Sequence, residues 1–434
     1  MDRTIVKIFG AGVLVILVAA TFTAIGASTE PISVGRLIEG DVYQATSNTA
    51  GFDVSTHTVF GELGTATWCG YCKYAHGALK EIWNDGLYDF YYVSMVDDKD
   101  THASNRIRSN YNIYGFPTVW FDGGYKVTVG AGSIPSAKAA YINSINSCGS
   151  RIVPDIDAVL SVKWLGDAKM DITVSVKNNE ANPYEGTVRV YVTECVSTMG
   201  WKDSAGHPYT FPFLDYAFNE PIVIDAGSTW QDSTIWDGYQ HNDGHGHNFG
   251  GITANNTMVI AAVFNAEWHQ GYSYPPGKNP FDAYYVDEVT GEMPAIVVDD
   301  SDSEFLLLSG GWHTASLPNA WNGNTHYIAK GSGNNRAAWR IDGIIDPGMY
   351  DVYTYKFEHP YLNLMATNAP YVVYYNTGQS SVITVDQSTP GNEWIYLGAW
   401  DFDNSHAQGV LTADYANGFV AADAIKLVHV RPTV

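Results

Sequence analysis

The chain opens on an uncharged run, residues 8–29, rich in Val, Leu, Ile and Ala and preceded by Arg3 and Lys7. This pattern predicts an export signal. Ala24 and Gly26 suit a small-residue cleavage site, and the run also matches the ~20 residues that span a bilayer. Residues 1–29 are therefore expected to be a signal peptide or an N-terminal membrane anchor. Beyond them, strand and helix patterns alternate: a strand over 58–65, a helix over 72–83, a strand over 88–96 and a helix over 100–111. A hairpin of 117–121 and 126–129 follows around Asp122-Gly123-Gly124, then a closing helix over 134–146 with Pro135 in its first turn. Near Pro154 the rhythm drops to period two. Met170, Ile172, Val174 and Val176 alternate with Asp171, Thr173, Ser175 and Lys177, and Val188, Val190 and Val192 repeat the pattern. Further strands at 221–225 and 257–264 predict an antiparallel sandwich reaching about Val297. From Val298 the chain is richer in Gly, Asn, Tyr and Trp, with strands between.

Composition narrows the partners. The 434 residues suggest roughly three domains, and 45% hydrophobic residues against 16% charged can bury a sizeable core. A net charge of -23 argues against nucleic acid or an anionic membrane surface as partner. Behind an export signal the folded part lies outside the cytoplasm, secreted or anchored, where disulfides persist.

One stretch names a chemistry: Trp68-Cys69-Gly70-Tyr71-Cys72, directly after a strand pattern and directly before a helical one. Two thiols at this spacing can close a disulfide, and a helix beginning at the first stabilises its thiolate. Half a zinc ribbon looks the same but needs a second ligand pair. Cys148 and Cys195 are single and far apart, and the nearest following histidine is His76. Cys69 is then the attacking sulfur and Cys72 the resolving one.

With the Tyr114-Gly115-Phe116-Pro117-Thr118 stretch, whose Pro117 lies 45 positions after Cys72, this motif resembles the thioredoxin superfamily. The resemblance implies a cis-proline at Pro117 beside the dithiol. It also implies that Phe116, with Trp68, Gly70 and Tyr71, meets the substrate, and that protein thiols and disulfides are the partners, with no cofactor beyond the redox-active disulfide. The chain departs from the family where an acid often precedes the motif: Leu63 stands six before Cys69, and Glu62 falls on the opposite strand face.

Residues 298–430 resemble the golvesin-type C-terminal domain, also found beside xanthan lyases. The resemblance rests on Val298-Asp299-Asp300-Ser301-Asp302, Gly348-Met349-Tyr350-Asp351-Val352-Tyr353, Ala366-Thr367-Asn368-Ala369-Pro370-Tyr371, Trp394-Ile395-Tyr396-Leu397-Gly398 and Ala421-Ala422-Asp423-Ala424-Ile425. It implies a carbohydrate-binding-like jelly roll whose ligand is a glycan or cell-surface polysaccharide.

The expected architecture is thus multidomain. An α/β thioredoxin fold over 30–150 precedes two all-β sandwiches: an immunoglobulin- or fibronectin-like one over 153–297, serving as spacer or docking surface, and a jelly-roll-like one over 298–434. The expected function is exported thiol–disulfide exchange, in a direction the sequence does not choose. The alternative is a non-enzymatic surface or glycan-binding protein on a redox-sensitive scaffold. Cys148 and Cys195 are candidates for a structural disulfide joining the first two domains. His241, His245 and His247, with Asp237 and Asp243, offer ligands to zinc or copper, although an exposed turn reads the same way. The run from Asp299 to Glu304 invites calcium but lacks the Gly and closing Glu of an EF-hand loop. Trp312, Trp321, Trp339, Trp394 and Trp400 could stack on sugars, with most expected in the core.

Overall fold

The structure, a computed structural model, describes residues 55–403, 406–430 and 433–434. The expected signal or anchor, 1–29, lies outside them. No helix among the described residues is long and apolar enough to cross a membrane.

The first unit follows the order its pattern predicts: β1 (Val59–Thr65), α1 (Cys72–Asp85), β2 (Phe90–Val96), α2 (Thr101–Asn105), β3 (Thr118–Phe121), β4 (Lys126–Val129) and α3 (Ile134–Gly149). The helix expected over 100–111 is split, because an Arg106–Asn110 π-helical turn follows α2. The sheet order is β2-β1-β3-β4, with β1 parallel to β2 and antiparallel to β3. In α1, Cys72, Ala75, His76, Leu79, Ile82 and Trp83 fall on one buried face at helical spacing. Gly86 ends the helix at φ 62°, a left-handed conformation that costs glycine little.

The second unit holds β5 (Ile156–Gly166), β6 (Lys169–Asn178), β7 (Tyr184–Glu194), β8 (Phe213–Ile224), β9 (Thr229–Asp237), β10 (Thr257–Tyr274) and β11 (Lys278–Glu292). Sheet β11-β10-β7-β8 packs over β5-β6-β9. The predicted alternation holds: Met170, Ile172, Val174 and Val176 meet Val188, Val190 and Val192 in one apolar core.

This unit is no detached spacer. The other face of β7 and β10, through Tyr191, Met258, Ile260, Ala262 and Phe264, shares a core with Phe60, Leu63, Val93 and Trp120 of the first unit. Both faces of β1 are therefore covered, and all seven of its residues are buried. Contact is close enough to need glycine: a Cβ on Gly123, at φ 64°, would lie 1.9 Å from the Tyr284 carbonyl oxygen.

This packing also corrects the expected Cys148–Cys195 bridge. Both cysteines are free and buried. The face of β7 opposite the valine stripe is packed rather than open, so apolar contact joins the units and both sulfurs sit in it as small hydrophobes. Burial pushes both thiols well above their ordinary pKa.

After β12 (Ala295–Val298), the C-terminal strands form a second β layer system. Strands Glu393–Phe402, Gly348–Lys356 and Ile425–His429 with β12 extend the sheet of β5, which β12 meets in parallel at Ala295 and Lys163. Opposite lie Phe305–Leu307, Arg336–Arg340, Gly409–Ala413 and Ala369–Tyr375. Between them Trp339, Tyr350, Tyr371 and Leu427 are buried.

Candidate functional site

Strand register brings the two sequence motifs together. Gly64 of β1 pairs with Thr118 of β3, so the chain leaving β1 toward Cys69 runs beside the Phe116–Pro117 peptide, which is cis. Cys69 and Cys72 form a disulfide. The helix begins at Cys72 rather than at Cys69, and the Cys72 N–H donates to Cys69 Sγ at 3.2 Å. The same N–H also donates to the Cys69 carbonyl at 3.3 Å, so it is shared between that oxygen and the first sulfur at the helix start. Cys69 is 5% exposed and Cys72 0%.

The surroundings are aromatic. Trp68 and Tyr71 are 66% and 64% exposed. The Trp68 ring meets Phe116 edge-on at 5.6 Å, and Phe116 packs against the disulfide. A Cβ on Gly70 would meet nothing within 4 Å, so the backbone there is open. Tyr114 contacts Tyr274 at 4.3 Å, carrying the aromatic surface onto the tip of the β10–β11 hairpin. That tip is fastened by Trp120 Nε1 donating to Ser273 Oγ at 2.9 Å and Asn279 Nδ2 donating to the Asn112 carbonyl at 3.0 Å.

The second unit also holds α1 from behind. The Thr210 N–H donates to His76 Nε2 at 3.2 Å, so Nδ1 carries the ring proton and donates to Asp203 Oδ2 at 3.0 Å. Tyr209 donates to the Ala66 carbonyl at 3.1 Å. His76 is thereby a buried structural residue tied to the loop 203–210. Burial alone would raise the Asp203 carboxyl, but hydrogen bonds from His76, Ala205 and His207 hold it down at about 2. Because that pKa is depressed, its stabilisation is complete above the ordinary carboxylate range and is lost as pH falls through about 2. Asp203→Asn is therefore expected to flatten the stability profile between about pH 4 and pH 2, read by chemical denaturation; an unchanged acid limb contradicts the pairing.

Glu62, adjacent to Leu63, is fully buried yet charged. Arg106 Nε and Nη2 grip its two carboxylate oxygens at 2.8 and 2.9 Å, Tyr111 donates a further hydrogen bond, and Tyr191 OH donates at 3.2 Å. Burial would raise its pKa, but the Arg106 charge outweighs that and lowers it. An acid so held ties β1 to the Arg106 turn and to β7 beneath the dithiol.

The histidine-rich loop does not gather. His241 pairs with Asp215 at 2.7 Å and stacks on Trp236, while His247 pairs with Asp243 at 2.9 Å and His245 stays exposed. Among the described residues, the group of carboxylates, cysteines or histidines close enough to share an ion is Asp299, Asp300 and Asp423. Of the five tryptophans, Trp339 is fully buried and the others are half-buried. Trp321, Trp394 and Tyr355 form an edge-on triad with centroids 4.9 to 5.2 Å apart.

Among solved structures, HBP35 of Porphyromonas gingivalis aligns with 86% of this chain and 99% of its own at 13% identity and TM-score 0.40. A Paenibacillus xanthan lyase aligns with 65% of this chain and 26% of its own at 14% identity and TM-score 0.30. In sequence, the xanthan lyase of Bacillus sp. (strain GL1) is 28% identical over 153 residues, 33% of this chain and only 16% of that protein. Residues 296–429 match the family described as the Golvesin C-terminal domain, the segment whose five sequence motifs carry that resemblance.

Proposed function

We propose that this is an extracytoplasmic surface protein that engages a polysaccharide through its C-terminal domain and performs thiol–disulfide exchange through Cys69 and Cys72. The polysaccharide half is supported by the Golvesin C-terminal match and by similarity to a xanthan lyase. The redox half rests on one observation: a Cys69–Cys72 disulfide at a helix start, beside the Phe116–Pro117 loop and ringed by exposed aromatics. In this reading residues 55–150 are a thioredoxin-like unit. Cys69 attacks a substrate disulfide and Cys72 resolves the mixed disulfide.

A second reading is favoured by the near-complete burial of both sulfurs. There the disulfide only stiffens a scaffold, and the protein acts through glycan binding alone. Insulin reduction by the full chain separates the two: turnover that disappears in Cys69→Ser supports exchange, and background turnover supports the scaffold.

Sugar binding is expected at the half-buried Trp321–Trp394–Tyr355 cluster, where flat apolar faces suit a pyranose. Trp394→Ala should weaken retention on immobilised polysaccharide about tenfold, the loss of roughly one stacking contact. Neutral and acidic polymers belong in the same assay, since a charge of -23 disfavours polyanions. Equal retention of the variant contradicts this assignment.

A further inference from the structure

We propose that Asp299, Asp300 and Asp423 form a calcium site inside the C-terminal domain. Strand register builds it: Val298 of β12 pairs with Ile425, which sets Asp299 and Asp300 opposite the chain at Asp423. His326 joins from a strand whose residue 326 pairs with Ala422. One oxygen from each carboxylate lies within 4.8 Å of the others. Buried protein carboxylates suit calcium, which takes most of its ligands from the protein, better than magnesium, which usually keeps several waters.

Proximity of acids alone would mean little, but these three are only 1%, 4% and 1% exposed. Each is held by one oxygen and leaves the other without a partner. Asp299 Oδ2 accepts from Ser301 Oγ and Asn322 Nδ2, at 2.5 and 3.2 Å. Asp300 Oδ2 accepts from His326 Nδ1 at 2.6 Å, and Asp423 Oδ2 from the Trp321 N–H at 3.2 Å. The three Oδ1 atoms are buried with no hydrogen bond. Buried carboxylate oxygens do not ordinarily stay unpaired. Fixing one oxygen from outside while the other is free is how ligating carboxylates are oriented.

The donor set is oxygen only, since His326 spends Nδ1 on Asp300, so a hard cation is selected over zinc. The ligands are not the consecutive acids from Asp299 to Glu304; they combine the first two with one 123 positions later. Through the Trp321 N–H and Asn322, the ion would also fix the turn that presents Trp321.

The test uses the full chain, freed of metal with a chelator. Calorimetric titration with calcium chloride should show one site, with a rise in unfolding temperature and binding at least about tenfold tighter than magnesium. Terbium should give emission sensitised by nearby tryptophan and be displaced by calcium. Asp423→Asn and Asp300→Asn should each weaken calcium binding at least about a hundredfold, with unchanged far-ultraviolet circular dichroism. No heat, no sensitised emission and no stabilisation at about 10 mM calcium would overturn the site. So would full calcium affinity in both variants.

Discussion

Full-length protein carrying Cys72→Ser is expected to accumulate a mixed disulfide with a substrate such as insulin, and Cys69→Ser to accumulate none. Cys69 is 5% exposed and carries the Cys72 N–H on its sulfur, whereas Cys72 is 0% exposed. On the proposed mechanism the Cys69 thiolate of the reduced protein attacks one substrate sulfur, an S–S bond forms, and the other sulfur leaves as a thiolate that takes a proton from water. Cys72 then attacks Cys69 and expels the second substrate thiol, so two electrons pass from the dithiol to the substrate. Without Cys72 the second step is missing and the adduct persists. Non-reducing gels with peptide mapping read the result. Equal trapping by both variants would remove the assigned roles.

The second large effect is on stability. Arg106→Leu should cost about 3–5 kcal/mol by urea denaturation, because it strands a buried Glu62 carboxylate at the junction of the first two units. The double variant Arg106→Leu/Glu62→Leu should recover most of that loss, since a well-packed apolar pair is often no worse than a buried ion pair. A loss below about 1 kcal/mol for the single variant would mean that water reaches Glu62 and that the shared core is looser than described.

The local pattern carried much of this fold. Period-two alternation placed Met170 to Val176 inward, helical spacing marked the α1 face, and the Gly-Phe-Pro stretch lay where the register of β1 and β3 brings it to the dithiol. What was hidden is non-local. Nothing near Cys148 or Cys195 says that the second face of β7 is packed, so a bridge looked plausible where apolar contact suffices. Glu62 looked out of place because its partners Arg106 and Tyr191 lie 44 and 129 residues away. A buried histidine on the apolar face of α1 was the one available sign that a further element covers that helix, yet it could not name Asp203 or Thr210. The carboxylate triad was half visible, because Asp423 reaches Asp299 and Asp300 only through strand pairing.

The most direct measurement is redox titration of the full chain in glutathione buffers, with differential alkylation and mass mapping at each potential. Cys69 and Cys72 are expected to interconvert between disulfide and dithiol while the protein stays folded, with Cys148 and Cys195 unlabelled until it unfolds. A Cys69–Cys72 bond that opens only on unfolding would contradict this.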